Sequence, residues 1–224
     1  MPEIAKRSNT LALAGIGYSP AVRTFLLLLV VACKVKEPPP FRERWTDDFE
    51  RESVGGNYYA TGEGYKVAQG ALSATGAKNH PMWMRPKLPH DVRIELDAWS
   101  TDARGDIKVE VFGDGRSYDP DGDRYSPTGY EIIFGGWSNS KSMIGRLDEH
   151  DDSSPNDRKT RVVANQRYHW SIERRGRLLR WSIDGKEFLK LDDPQPLEGA
   201  GHEYFGFNNW ETDTWFDNLV IQPL

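Results

Sequence analysis

From Val92 the chain alternates in character. Val92, Ile94, Leu96 and Ala98 are apolar, and Arg93, Glu95 and Asp97 between them are charged. Successive strand side chains point to opposite faces, so a period of two predicts a half-buried strand over Val92–Trp99. Ile107, Val109 and Val111 alternate with Lys108 and Glu110 in the same way. The period returns at Tyr168, Trp170 and Ile172, and again at Leu179, Trp181 and Ile183. Asp184-Gly185 then predicts a two-residue hairpin turn, because both residue types tolerate positive φ. Arg174-Arg175-Gly176-Arg177 predicts a second tight turn, and Thr214–Ile221 a closing strand. No stretch beyond the N-terminal segment carries a helical period. Short strands separated by Gly, Pro, Asn and Asp predict an all-β, two-sheet antiparallel jelly-roll sandwich. Residues 41–224 form that domain, with no internal repeat and no second boundary.

The N-terminal segment follows a different pattern. Thr24 to Ala32 is an apolar run, with Lys6, Arg7 and Arg23 upstream and Cys33 directly after. A basic stretch, a short apolar run and a small residue at the end describe a secretory signal peptide over residues 1–32. The run is too short to span a bilayer core of about 30 Å. Val30-Val31-Ala32-Cys33 resembles the bacterial lipobox, in which the cysteine is acylated and becomes the mature N-terminus. That resemblance implies lipidation at Cys33, anchoring to a membrane of the bacterial cell envelope, and a short extended tether over residues 33–40 rich in proline. The bland alternative is an ordinary secretory peptide with an idle thiol.

Composition narrows the partners. The formal net charge is −5, and no basic stripe accompanies it, which excludes a phosphate-tracking nucleic-acid binder. Cys33 is the only cysteine, so no intramolecular disulfide supports the fold. Eight tryptophans and nine tyrosines suit both sheet packing and flat ligand platforms.

The order of several short segments resembles the concanavalin A-like lectin/glucanase superfamily, and most of all its 3-keto-disaccharide hydrolase-type and laminin-G-like bacterial domains. The segments are Trp45-Thr46-Asp47-Asp48-Phe49, Asn79-His80-Pro81-Met82-Trp83, the strand Val92–Trp99 and Thr128–Trp137. The hairpin Trp181–Lys186 and the ending Phe216–Leu224 complete the series. The resemblance implies two curved antiparallel sheets with saccharide held on the concave face or its rim loops. Fold alone does not fix function.

Three groups of residues are candidates for chemistry. Glu95 and Asp97 lie two apart on a strand and share a face, as an acid and base flanking a glycosidic bond would. Related glucanases carry Glu-x-Asp-x-x-Glu there, but this chain has Ser100 in the last position. The bland reading has both carboxylates solvating the sheet and pairing with Arg93 and with Lys108 across it. If hydrolysis takes another route, Glu131 or Glu110 supplies the second carboxyl, and spacing selects neither.

An aromatic and amide set comes second: Trp83 with His80, Trp137 with Asn139, and Asn208-Asn209-Trp210 with Glu211. An indole face covers the C–H side of a sugar ring, and amides bond its hydroxyls. The bland reading is core tryptophans and turn asparagines. Third, Asp119, Asp121 and Asp123 alternate around Gly122, a spacing that suits Ca²⁺, with Asp114 nearby, or else a solvated turn. His150 has no second histidine at zinc-ligand spacing and sits in an acidic stretch that predicts a loop.

The expected function is a membrane-tethered carbohydrate-binding, lectin-like domain of the cell envelope. The alternatives are a glycoside hydrolase or 3-keto-glycoside-cleaving enzyme, and a structural lipoprotein that binds a protein partner.

Overall fold

The computed structural model describes residues 40–119 and 125–224. The signal, the Cys33 tether and the Asp121 and Asp123 positions lie outside the described residues. Fifteen strands follow in chain order: β1 (Trp45–Asp47), β2 (Tyr58–Ala60), β3 (Tyr65–Ala68), β4 (Ala71–Thr75), β5 (Met82–Met84), β6 (Val92–Ser100), β7 (Ile107–Gly113), β8 (Tyr130–Gly135), β9 (Lys141–Arg146), β10 (Asn156–Asp157), β11 (Tyr168–Arg175), β12 (Leu178–Ile183), β13 (Lys186–Asp192), β14 (Tyr204–Asn208) and β15 (Asp213–Pro223).

They form two antiparallel sheets. The first runs β13-β12-β11-β6-β15-β4-β3, with β1 also paired to β15. The second runs β10-β9-β8-β7-β14-β5-β2. The jelly-roll sandwich predicted from period-two patterning is the observed architecture. Asp184 and Gly185 both take positive φ, 50° and 75°, between β12 and β13, as a hairpin of this kind requires. The sheet borders are short or charged: β10 has two residues, β2 three and β3 four, and β13 carries Lys186, Glu187 and Lys190.

The core lies between the sheets. Ile94, Leu96 and Ala98 of β6 and Ile107, Val109 and Val111 of β7 are all fully buried. Phe134 meets Trp181 edge-on at 6.0 Å, and Trp181 meets Trp170 at 4.8 Å, an arrangement favoured by the ring quadrupoles.

Alternation predicts β6 well, where buried and half-buried residues alternate along its length. It fails for β7, β8 and β9, where the face turned away from the core is buried too. Lys108 and Glu110, expected on a solvated face, are 2% and 0% exposed. Loops fold over this part of the second sheet, and alternation within a strand carries no information about loops. Phe112 is a further departure. Opposite it, the pairing with β14 shifts register, and its φ is 60°, so a bulge turns its ring toward Tyr130 in the core.

Candidate functional site

The covered face of the second sheet holds a cavity of ≈ 360 Å³. Lys108 of β7 reaches its floor. Its ammonium donates to Glu149 Oε2 at 2.7 Å and to Asn79 Oδ1 at 2.8 Å. Glu131 of β8 lies 3.9 Å from the same nitrogen. Asp106 stands beside them and accepts the Trp210 backbone N–H at 2.8 Å. Trp137 and Trp210 form walls, and Arg104, His150 and Glu211 sit around the lining.

These walls are held at a conformational cost. Gly135, Trp137, Ser138 and Asn139 all have φ between 51° and 70°, so Trp137–Asn139 is a short left-handed turn. Left-handed backbone is unfavourable for residues with a Cβ and persists where surrounding contacts enforce it. Asn139 supplies those contacts. Its Nδ2 donates to Ala103 O and Val162 O, and its Oδ1 accepts from Val162 N. The turn leaves Trp137 39% exposed, with Lys141 Nζ 4.7 Å from its ring centroid and the His150 ring 5.9 Å away. Gly105 touches the same turn: a Cβ there would come within 2.5 Å of Gly135 O.

The floor is electrostatically divided. Burial drives the Glu131 carboxyl well above the ordinary carboxylate range; Lys108 opposes this, while Glu149 and Glu110 add to it. Among the described residues, neither Glu131 oxygen meets a hydrogen-bond donor. Proximity to Glu149 adds to the rise. Burial opposes charge on Glu149 as well, but Lys108 and the Glu131 contact outweigh it and hold Glu149 below its usual value. One buried carboxyl is pushed toward its neutral form and its neighbour toward its ionised form, beside one ammonium. Glu110, directly across from Glu131 in the β7–β8 pairing, is pushed up to about 7 by burial. Hydrogen bonds from Tyr125, Thr128 and Gly129 partly offset that rise.

The sequence candidates separate into three groups. Trp137, Trp210 and Glu131 converge on the cavity or its floor. Asn139, Asn208 and Asn209 do not line the cavity but hydrogen-bond the segments around it. Asn209 bonds Ala77 N, Ala74 O and Thr212 O, and Asn208 reaches Asn79 and Asn209 N. Trp83 is fully buried, its Nε1 donating to Ser117 O at 3.0 Å.

Glu95 and Asp97 lie on β6 in the other sheet. Asp97 accepts from Asn218 Nδ2 at 2.9 Å and pairs with His169 at 3.0 Å. The expected pairing with Lys108 across the sheet does not occur. β6 is flanked by β11 and β15, and Arg93 pairs with Glu173 instead. Asp119 is buried, its N–H on Asn79 O. Among the described residues, no group of three or more His, Cys, Asp or Glu side chains is placed to hold a metal ion.

Lys108, Asn79, Asp106, Arg104 and Tyr125 were not expected at a site. One signal pointed toward the floor: Glu131 is the only charged residue in the otherwise apolar run Tyr130–Phe134. A carboxylate inside a buried strand needs a partner or a role.

No family model and no curated protein matches the chain by sequence. Solved structures do match by shape. A carbohydrate binding module, CBM66, from Bacillus subtilis superposes with a TM-score of 0.55 at 16% identity, covering 76% of this chain and 98% of its own. A structure from work on endo-acting O-glycanases that initiate mucin breakdown, from members of the human gut microbiota, gives 0.58 at 14%, covering 80% and 98%. A laminarinase from Flavobacterium sp. UMI-01 gives 0.54 at 10%, covering 80% and 98%. At these identities the likeness shows the fold alone, a two-sheet antiparallel jelly-roll sandwich.

Proposed function

We propose that this chain is a saccharide-binding domain whose ligand enters the cavity between Trp137 and Trp210. The observation that carries this reading is two indoles lining one cavity above a floor of Lys108, Glu149, Asn79 and Asp106. Indole faces take the C–H side of a sugar ring, and the floor bonds its hydroxyls. The structural neighbours that bind or act on carbohydrate support the choice of ligand class. The domain would sit at the bacterial cell envelope on a lipid carried by Cys33, a placement that rests on the lipobox resemblance alone.

The test is a glycan array followed by calorimetry, using residues 41–224 with Trp137→Ala and Trp210→Ala. Each variant should weaken binding about tenfold or more, as loss of one stacking contact of about 1.4 kcal/mol would. No glycan bound by the unaltered domain would end this reading.

A second reading, glycoside cleavage, is favoured by the opposite pKa shifts of Glu131, upward, and Glu149, downward, beside Lys108. Acid–base chemistry at an acetal needs one carboxyl in each state. Glu131 is fully buried and does not line the cavity, so binding takes precedence. Sugar release that disappears in both Glu131→Gln and Glu149→Gln would reverse that order.

A further inference from the structure

Beyond the cavity, the same face carries a second aromatic surface. The loop after β7 crosses back over Trp83, whose indole bonds Ser117 O. It then reaches Asn79, where Asp119 N–H donates to Asn79 O at 2.9 Å. Asn79 is a cavity residue, and its neighbour Lys78 donates its N–H to Trp210 O at 2.8 Å. Tyr118 is therefore carried next to the cavity wall, on a segment hydrogen-bonded to that wall.

Tyr118 stacks on His80, ring centroids 5.2 Å apart and 27° between planes. One face of the phenol is thus backed by the imidazole, yet 45% of the residue remains exposed. His80 is itself fixed, its Nδ1 3.2 Å from both Ala77 O and Lys78 O and its ring edge lying on Gly62. A backed, half-exposed aromatic ring on a braced segment has lost its conformational freedom before any ligand arrives, which lowers the cost of binding.

We infer that the open face of Tyr118, backed by His80, is a second sugar-stacking position outside the cavity, so that the ligand is a chain of several sugar units. This rests on the saccharide reading of the cavity and adds to it the length of the ligand. A monosaccharide fills the cavity alone; a longer chain leaves it past Trp210 and Asn79 and meets Tyr118.

The experiment is calorimetry of the full chain with cello-, laminari- and mixed-linkage β-1,3(4)-gluco-oligosaccharides of one to six units. Affinity should rise about tenfold or more between the shortest ligand bound and the longest. Tyr118→Ala should remove that rise and leave the affinity for the shortest ligand unchanged. Tyr118→Phe should keep the rise, and Trp137→Ala should weaken every length. An unchanged melting temperature confirms that each variant is folded.

Affinity independent of length, or Tyr118→Ala binding long chains as tightly as the unaltered protein, overturns the second position while leaving the cavity reading intact. Absence of binding at any length, across all three series and on the glycan array, overturns both.

Discussion

Lys108 and Glu149 meet at 2.7 Å in a setting where each is almost sealed from water: the side chains are 3% and 11% exposed. β7 and the loop after β9 are brought together by this contact, 41 residues apart in the chain. A charge withdrawn from water to this degree depends on its partner. Lys108→Met should therefore cost about 3–5 kcal/mol of stability, since it strands buried carboxylate charge. Pairing it with Glu149→Gln should recover part of the loss. Urea denaturation of the two single variants and the double variant measures this coupling, and additive losses would show that the two groups act independently.

Acid dependence offers a separate check. Glu110 is raised from 4.5 to about 7, so between those pH values the unfolded chain releases this proton while the folded domain keeps it. The folded state then binds more protons, and stability falls as pH rises through that window. Glu131, also raised, contributes in the same direction. Glu110→Gln should flatten the decline between about pH 4.5 and 7 without abolishing it. Asp47 and Asp193 are held below their ordinary values: burial opposes their charge, but Arg51 and Tyr58 outweigh it for Asp47, and Tyr130 and Arg146 for Asp193. Their contribution is present above pH 3.8 and lost below it, so the two effects separate in a pH series of melting temperatures. A Glu110→Gln curve that runs parallel to the unaltered one would contradict this account.

Asn139 braces the left-handed turn that presents Trp137, through three hydrogen bonds of 2.8–2.9 Å. Asn139→Ala should destabilise the domain by about 2–4 kcal/mol, from those bonds and from the poorer tolerance of alanine for positive φ. It should also weaken saccharide binding, although Asn139 does not line the cavity. Full affinity retained by Asn139→Ala would mean that Trp137 is placed by something else.

The location of β6 sets another expectation. Glu95→Gln and Asp97→Asn lie on the sheet opposite the cavity and should leave glycan affinity unchanged within error. A marked loss from either variant would move the binding surface to that sheet.

Trp83 belongs to packing. A Cβ added at Gly206 would stand 2.8 Å from its ring, and one at Gly113 2.4 Å. Gly206→Ala should cost about 1–3 kcal/mol by overpacking, and Trp83→Phe should likewise reduce stability while sparing affinity. Tight saccharide binding lost in Trp83→Phe at full stability would reverse that assignment.

The fold was legible because β6, β11, β12 and β15 each bury one face and wet the other, so their apolar residues fall at every second position. The site was only partly legible for the converse reason. On β7 and β8 both faces are covered, and what covers Lys108, Glu110 and Glu131 comes from segments distant in the chain, among them the loops carrying Tyr125 and Glu149. Trp137 and Trp210 were recognisable as aromatics beside Gly and Asn. The same signature at Trp83 marked a core residue, because a side chain's neighbours in sequence do not reveal whether a loop lies on top of it. Glu95 and Asp97 satisfied the spacing rule on the sheet opposite the cavity: strand periodicity assigns a face within a sheet but does not say which sheet a cavity lies on.

The sheet borders bear on how copies of this chain behave when brought close. Shared cross-strand ladders need a long, bare row of backbone N–H and C=O groups on each partner. Three of these borders are only two to four residues long, and the fourth carries Lys186, Glu187 and Lys190 along its rungs. Crowded side by side at high local density, such molecules would meet through side chains alone and remain separate particles rather than fusing into a continuous sheet.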